Sequence, residues 1–307
     1  MERPNIKIEF LRIENTPIPE LSVDTLASLP IRHLILRNNT LSHFKVLSSS
    51  STELSITSTL FDNVEQLEIQ NNEVESIQDC PALTLFTNLQ SLSLAGNKIT
   101  EILDNTFAYF NSRKTLQQLD LSENLLSDTS INSKAFVGLE FLQKLFLDKN
   151  QLNKLPTKAI AKLSDSLQEL FASANQIDSL EPGDIPPLPR LKSLGLDVNQ
   201  IEKVDKFAFA GLPQLQSIDL SYNQLETFDS DTFRGTFLQS ENTANVQILD
   251  LTGNPINCSP NGTDWIFSLK GKVRILGSCS GMGEQQQNME GVELTKIGVV
   301  GDGKNIK

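Results

Sequence analysis

The sequence predicts an α/β repeat fold, a solenoid assembled from many copies of one short unit. Three observations predict it. An eleven-residue frame, apolar at positions 1, 4, 6 and 11 with Asn at position 9, recurs in ten copies along the 307 residues. Successive copies start 23, 33, 25, 27, 26, 25, 24, 24 and 31 residues apart, a period of the size that marks stacked repeats. The segments between frames carry an apolar spacing of their own.

The clearest copy is LQSIDLSYNQL, Leu215 to Leu225. Positions 4 and 6 alternate as a short strand requires, so Ile218 and Leu220 share one face. Asn223 follows where the chain leaves the strand. Its side-chain amide can bond backbone groups left open by the turn, and stacked copies would form a ladder. In chain order the frames start at Ile8, Ile31, Val64, Leu89, Leu116, Leu142, Leu167, Leu191, Leu215 and Val246. Nine carry the ladder residue: Asn39, Asn72, Asn97, Asn124, Asn150, Asn175, Asn199, Asn223 and Asn254. The first copy has Thr16 there, with Arg12 and Glu14 on its strand. Terminal repeats are atypical, so this copy reads either as its own cap or as the start of a stack whose cap lies upstream.

Between the frames, Phe107 and Phe110, Phe136 and Leu139, Ile160 and Leu163, and Phe209 and Leu212 repeat an apolar pair three residues apart. These residues are expected to stack behind the strands as the back wall of the core. Two intervals are long. SSSSTELSITSTLFDN and DTFRGTFLQSENTAN read as loops, whose extra length costs only about 0.6 kcal/mol per doubling. After the tenth copy, Trp265 and Phe267 are placed to plug the open end of the core. Residues 1–256 are then the repeat array, 257–280 a terminal cap, and 281–307 a loose tail.

The net charge of −12 argues against nucleic acid as a partner, because phosphates call for a basic footprint. It fits a soluble, self-repelling surface. No run approaches the ~20 apolar residues of a membrane span. No apolar stretch of the signal-peptide kind follows Met1, so the chain reads as mature or trimmed, or else as cytosolic. Of the two histidines, His33 sits at position 3 of its frame, an outward position where a solvated His is ordinary. No Cys or His lies at metal spacing, and no P-loop, GxSxG or HExxH occurs. Asp219 and Asp250 share a frame position, but a bare carboxylate column is not an active site. The sequence therefore calls for no catalysis, no cofactor and no metal.

The frame, the AFVGL and AFAGL backs, and the NP-to-Cys end segment resemble the extracellular "typical" leucine-rich repeat proteins. That family includes secreted matrix proteins, small leucine-rich proteoglycans and the ectodomains of cell-surface receptors. The resemblance covers about residues 6–280. It implies a leucine-rich repeat solenoid, a curved right-handed arc with a parallel concave β-sheet and an irregular or short-helical convex side. It implies a protein ligand on the concave face and no catalytic residues. It also implies a C-terminal cap in which Asn254 and Pro255 precede Cys258 and Cys279. The family cap usually has four cysteines and this chain has two, so one disulfide, Cys258–Cys279, is expected in place of two. Cys80 is then left free and partly buried. Three N-x-S/T triplets start at Asn38, Asn257 and Asn261. Beside a cap disulfide they favour a secretory route and an extracellular or cell-surface location. Asn38 and Asn261 are the expected glycosylation sites, and Asn257 beside Cys258 is the poorest.

Position 5 lies between two core-facing residues, so its side chain is expected to face solvent on the concave surface. The column reads Arg12, Ile35, Glu68, Ser93, Asp120, Phe146, Phe171, Gly195, Asp219 and Asp250. Phe146 and Phe171 occupy consecutive copies, on strands expected to lie about 4.8 Å apart. Lys144, Asp148, Glu169, Gln118 and Asp120 supply a polar rim. An aromatic centre within a polar rim is how interfaces concentrate binding energy. The alternative is cross-strand pairing that only stabilises the sheet. The expected function is non-enzymatic binding of a protein partner, with a homodimer as a further candidate assembly. A trimmed receptor ectodomain and a cytosolic scaffold or regulatory subunit are the other readings.

Overall fold

The computed structural model describes residues 8–22, 26, 29–45, 59–233, 236, 247–258, 265–266, 269 and 273–280. They fall into two compact units, Met1–Asn150 and Gln151–Lys307. In each, the frames form the strands of a parallel sheet stacked as a solenoid. Asn261, Phe267, the interiors of both long loops and the 281–307 tail lie outside the described residues.

The first unit holds β1 (Ile8–Glu14), β2 (Glu20–Ser22), β3 (Ile31–Arg37), β4 (His43–Lys45), a short helix α1 (Thr59–Asn63), β5 (Gln66–Gln70), β6 (Ser91–Ser93), β7 (Gln118–Asp120) and β8 (Lys144–Phe146). Strands β1, β3, β5, β6, β7 and β8 pair in that order, while β2 and β4 pair separately. The register sets like against like: Leu11, Leu34, Leu67, Leu92, Leu119 and Leu145 lie opposite one another in turn. All but Leu11 are buried. Leu11 is only half-buried because its edge strand has a neighbour on one side.

The second unit holds a short helix α2 (Thr157–Ile160), β9 (Glu169–Phe171), β10 (Ser179–Leu180), β11 (Ser193–Gly195), β12 (Lys203–Val204), β13 (Ser217–Asp219), β14 (Gln247–Asp250) and β15 (Val273–Leu276). Its core register runs Leu170, Leu194, Ile218, Leu249, Ile275. Strand β15 lacks the frame and still pairs with β14, giving that edge a partner. Trp265 is buried against the rings of Phe228, 4.8 Å away, and Phe233, 6.1 Å away. Cys258 and Cys279 are joined by a disulfide, with their Cα atoms 5.6 Å apart. The back-wall pairs from Phe107 to Leu212 are all buried.

Two backbone devices hold each turn of the solenoid. The first is the ladder. Every ladder Asn is buried, and its Oδ1 accepts from a backbone N–H of the preceding repeat, as in Ile177 N–H to Asn199 at 3.1 Å and Ile201 N–H to Asn223 at 2.9 Å. In Asn97, Asn124, Asn150, Asn199, Asn223 and Asn254 the Nδ2 donates to the position-6 carbonyl of its own repeat and to that of the repeat before. Leu196 O therefore accepts from both Asn199 and Asn223, each at 3.0 Å. The second device is at position 8, where the backbone is left-handed in all ten copies: Asn15, Asn38, Asn71, Gly96, Glu123, Lys149, Ala174, Val198, Tyr222 and Gly253, with φ from 51° to 75°. Gly and Asn accept that conformation; for a β-branched or bulky residue it is unfavourable.

Candidate functional site

In each unit frame positions 3, 5 and 7 point away from the core and make an open sheet face. In the first unit the register brings Gln118 beside Lys144 and Asp120 beside Phe146. A chain of polar contacts crosses the neighbouring strands. Arg37 Nε donates to Glu68 at 2.7 Å, Gln70 Nε2 donates to Ser93 Oγ at 2.8 Å, and Ser93 Oγ donates to Asp120 Oδ2 at 2.9 Å. The other oxygen of Asp120 accepts the Ser122 N–H at 3.0 Å. Asp120 is thus a fixed polar landmark, engaged through both oxygens. Asp148 lies beyond β8, and its carbonyl accepts the Glu123 N–H.

The open face is less exposed than strand alternation alone predicts. Phe146 is half-buried, and Ile35 and Ser93, at the same frame position, are buried. The reason is lateral: in a parallel sheet with matched register, a position-5 side chain is covered by the position-5 side chains on either side. Ile35 has Arg12 on one flank and Glu68 on the other.

The second unit shows the same effect. Glu169 lies beside Ser193 and Phe171 beside Gly195. Phe171 is half-buried because its ring lies over Gly195: a Cβ placed on that glycine would come 2.5 Å from Phe171 Cδ1. The expectation of two exposed rings is corrected accordingly. Beyond Gly195 the column turns acidic, with Asp219 beside Asp250 in register. Ser173 donates its hydroxyl to Asp197. Asp219 accepts the Ser221 N–H at 3.0 Å and Asp250 the Thr252 N–H at 2.9 Å. Burial pushes the Asp219 carboxyl above its usual range, and the charges of Asp197 and Asp250 push it further. Beside these acids stand the most exposed apolar groups of this face, Val198 at 50% and Tyr222 at 61%. Column 5 passes over both. The signal that finds them is the left-handed turn at position 8, where a Val and a Tyr replace the Asn and Gly of other copies.

The remaining predicted residues are placed as follows. Asn38 is exposed and belongs to an outer chain of amides, donating to Asn15 Oδ1 at 3.3 Å and accepting from Asn71 at 3.0 Å. Cys80 is a free, buried thiol, pushed up to about 12 chiefly by that burial. His33 is half-buried, its ring edge-on to Phe10 at 4.6 Å. Among the described residues no group of His, Cys, Asp or Glu is arranged to hold a metal ion, and no helix is long and apolar enough to cross a membrane.

The model of the family described as "Leucine rich repeat" matches residues 87–152, 142–201 and 189–256. The chain belongs to the leucine-rich repeat family. Among solved structures it is similar to the leucine-rich repeat protein in the octameric complex of Latrophilin 3 (Lec, Olf), Unc5D (Ig, Ig2, TSP1) and FLRT2 (LRR). That likeness has a TM-score of 0.62 and 22% identity over 93% of this chain and 88% of that one. It is also similar to TLR13 in its complex with ssRNA13, with a TM-score of 0.53 and 20% identity over 88% of this chain. Here the leucine-rich repeat chain spans about half of its neighbour, 52%. At these identities the likenesses describe the fold.

Proposed function

We propose that this chain is a non-enzymatic leucine-rich repeat protein of the extracellular space or cell surface that binds a protein partner on the concave, open face of its sheet. The observation that carries the reading is the composition of that face. It bears one aromatic centre in each unit, Phe146 with Gln118, Asp120, Lys144 and Asp148, and Phe171 with Glu169. Half-buried rings held by neighbours are rigid, and rigid aromatic anchors with polar surroundings lose little entropy on binding. A neighbour of the same fold occurs in a complex of several proteins, which supports a protein ligand. The net charge of −12 speaks against RNA, the partner named for the other neighbour. The disulfide and the exposed Asn38 support a secretory route. On that route Asn38 and Asn261 carry glycans, and amidase treatment of chain secreted from a eukaryotic host should lower its mass.

The test is a screen of the purified chain against extracellular domains, followed by Phe146→Ala and Phe171→Ala variants of any pair found. Each variant should weaken the complex about ten- to a hundredfold, or 1.4–2.8 kcal/mol. Unchanged affinity in both variants would remove the concave face from consideration.

A further inference from the structure

The second unit carries a surface that fixes the chemical class of partner more narrowly. It is the end of the sheet formed by the exits of β11, β13 and β14. Val198 and Tyr222 occupy successive left-handed turns, joined by a hydrogen bond from Val198 N–H to Ser221 O at 2.9 Å. Both hold a backbone conformation that Asn or Gly would adopt at lower cost, and both side chains stay in solvent. The Tyr222 ring leans over Gly253, where a Cβ would stand 2.7 Å from Tyr222 Cδ1. The ring is therefore held in place although it is exposed. These side chains, a short apolar strip, add nothing to the core, and exposure of a Val beside a fixed Tyr is what an interface presents.

The strip is lined by Asp197, Asp219 and Asp250. Among the described residues none of the three is ion-paired; their hydrogen bonds run to hydroxyl and backbone groups. They are not arranged to hold a metal ion. Asp219 and Asp250 instead stand in register on adjacent strands, about 4.8 Å apart, and Asp197 lies two residues beyond the Gly195 that is level with them, a spread that suits separate ammonium or guanidinium groups. A second copy of this chain is a poor occupant, since it would bring acid against acid.

We propose that this strip docks a segment of a protein partner that presents Lys or Arg side chains next to apolar ones, the cations meeting Asp197, Asp219 and Asp250 and the apolar groups covering Val198 and Tyr222. The proposal rests on the open-face reading above and names the partner class for its second unit. Charge pairing would steer association and set orientation, while the apolar strip would supply the hold.

The probes are two synthetic peptides of equal length and apolar content, one of alternating Lys and Leu, the other of Glu and Leu. Binding is read by calorimetry on the whole chain. The Lys/Leu peptide should bind, at least fivefold more weakly at about 300 mM salt than at about 50 mM, because exposed charge pairs are screened. The Glu/Leu peptide should not bind. A variant carrying Asp197→Asn, Asp219→Asn and Asp250→Asn, and separately Val198→Asn with Tyr222→Asn, should each lose at least tenfold in affinity. A control with equal charge removed elsewhere, Glu101→Gln, Glu140→Gln and Asp165→Asn, should bind as wild type. Equal loss in the control would show diffuse attraction to an acidic protein and overturn the proposal. If the acidic-strip variants bind normally while Phe171→Ala does not, the cationic class is wrong and the open-face reading stands. If none of these changes matters, both fail. Asn fits the left-handed turns and the Asp hydrogen bonds, so a melting curve for each variant separates lost binding from lost fold.

Discussion

Replacing Asn223 with Ala tests the ladder where its bonds are most completely defined. Four groups lose a partner. The Ile201 N–H, which donates to Asn223 Oδ1 at 2.9 Å, is left with none in a buried setting. The Leu196, Leu220 and Ser221 carbonyls lose an Nδ2 donor at 3.0, 3.0 and 3.2 Å, but each keeps a second, from Asn199, Asn254 and the Val198 N–H respectively. One orphaned buried donor costs about 1–3 kcal/mol, and each surplus bond about 0.5–1.5 kcal/mol net. The sum is about 2.5–7.5 kcal/mol. At Thr16 the same substitution removes only an exposed hydroxyl bonded to Glu14 O at 3.1 Å, so the loss should be under about 0.5 kcal/mol, within the range of surface changes. Urea unfolding followed by circular dichroism compares the two. Asn223→Asp is a further arm: it keeps the acceptor for Ile201 but sets a carboxylate against three carbonyls, so it should be no more stable than Ala near neutral pH. Equal losses at Thr16 and Asn223, or an Asn223→Asp variant as stable as wild type, would refute the ladder account.

Three further outcomes follow from the geometry. Val198→Asn should raise stability by about 0.5–1 kcal/mol, because Asn tolerates the left-handed turn that a β-branched residue resists; a loss in thermal melts would show that Val198 is packed. The raised Asp219 carboxyl binds its proton more tightly when folded, so its contribution is intact below the unfolded value near 3.8 and declines as pH rises through the folded one. Asp219→Asn cannot ionise and can keep the Ser221 bond, so it should melt higher than wild type near pH 7 and equally near pH 3. Cys80, its thiol pushed to about 12, should resist alkylation at about pH 8.5 until the chain is unfolded, and non-reducing mass mapping should find only the Cys258–Cys279 link.

The fold was legible because the frame states it directly. Period 2 at positions 4 and 6 marks the strand face, and Asn at position 9 marks its exit. Strand β15 was not legible, since Val273–Leu276 has the β-rich composition but no Asn to follow it, and only the neighbouring β14 makes it a strand. The open face was half legible. Alternation correctly points Phe146 and Phe171 away from the core, but it treats each strand alone. Burial of Ile35 and the ring of Phe171 over Gly195 depend on what the adjacent repeats place at the same height, and that requires reading down columns. The left-handed column at position 8 was hidden for a further reason. Asn and Gly announce such a turn, while Glu123, Lys149, Val198 and Tyr222 adopt it because the ladder and the next strand hold the backbone there.

That last point bears on where function can reside in this chain. Ladder Asn residues and buried leucines fix the backbone of every repeat, so positions 3, 5, 7 and 8 can vary without altering the path of the chain. In the first unit this freedom is spent on mutual satisfaction: Gln70, Ser93 and Asp120 bond one another, and Arg37 neutralises Glu68. In the second unit it is left unresolved. Asp219 stands half-buried beside two more carboxylates, and Val198 and Tyr222 hold an unfavourable turn with their side chains in water. Each arrangement lowers stability, and a simple substitution by Asn would relieve each. Glu123 and Lys149 hold the same turn with charged side chains that pair with each other, whereas Val198 and Tyr222 set apolar groups in water beside the acids, and this combination marks the place where a partner's cations and apolar groups would complete the surface.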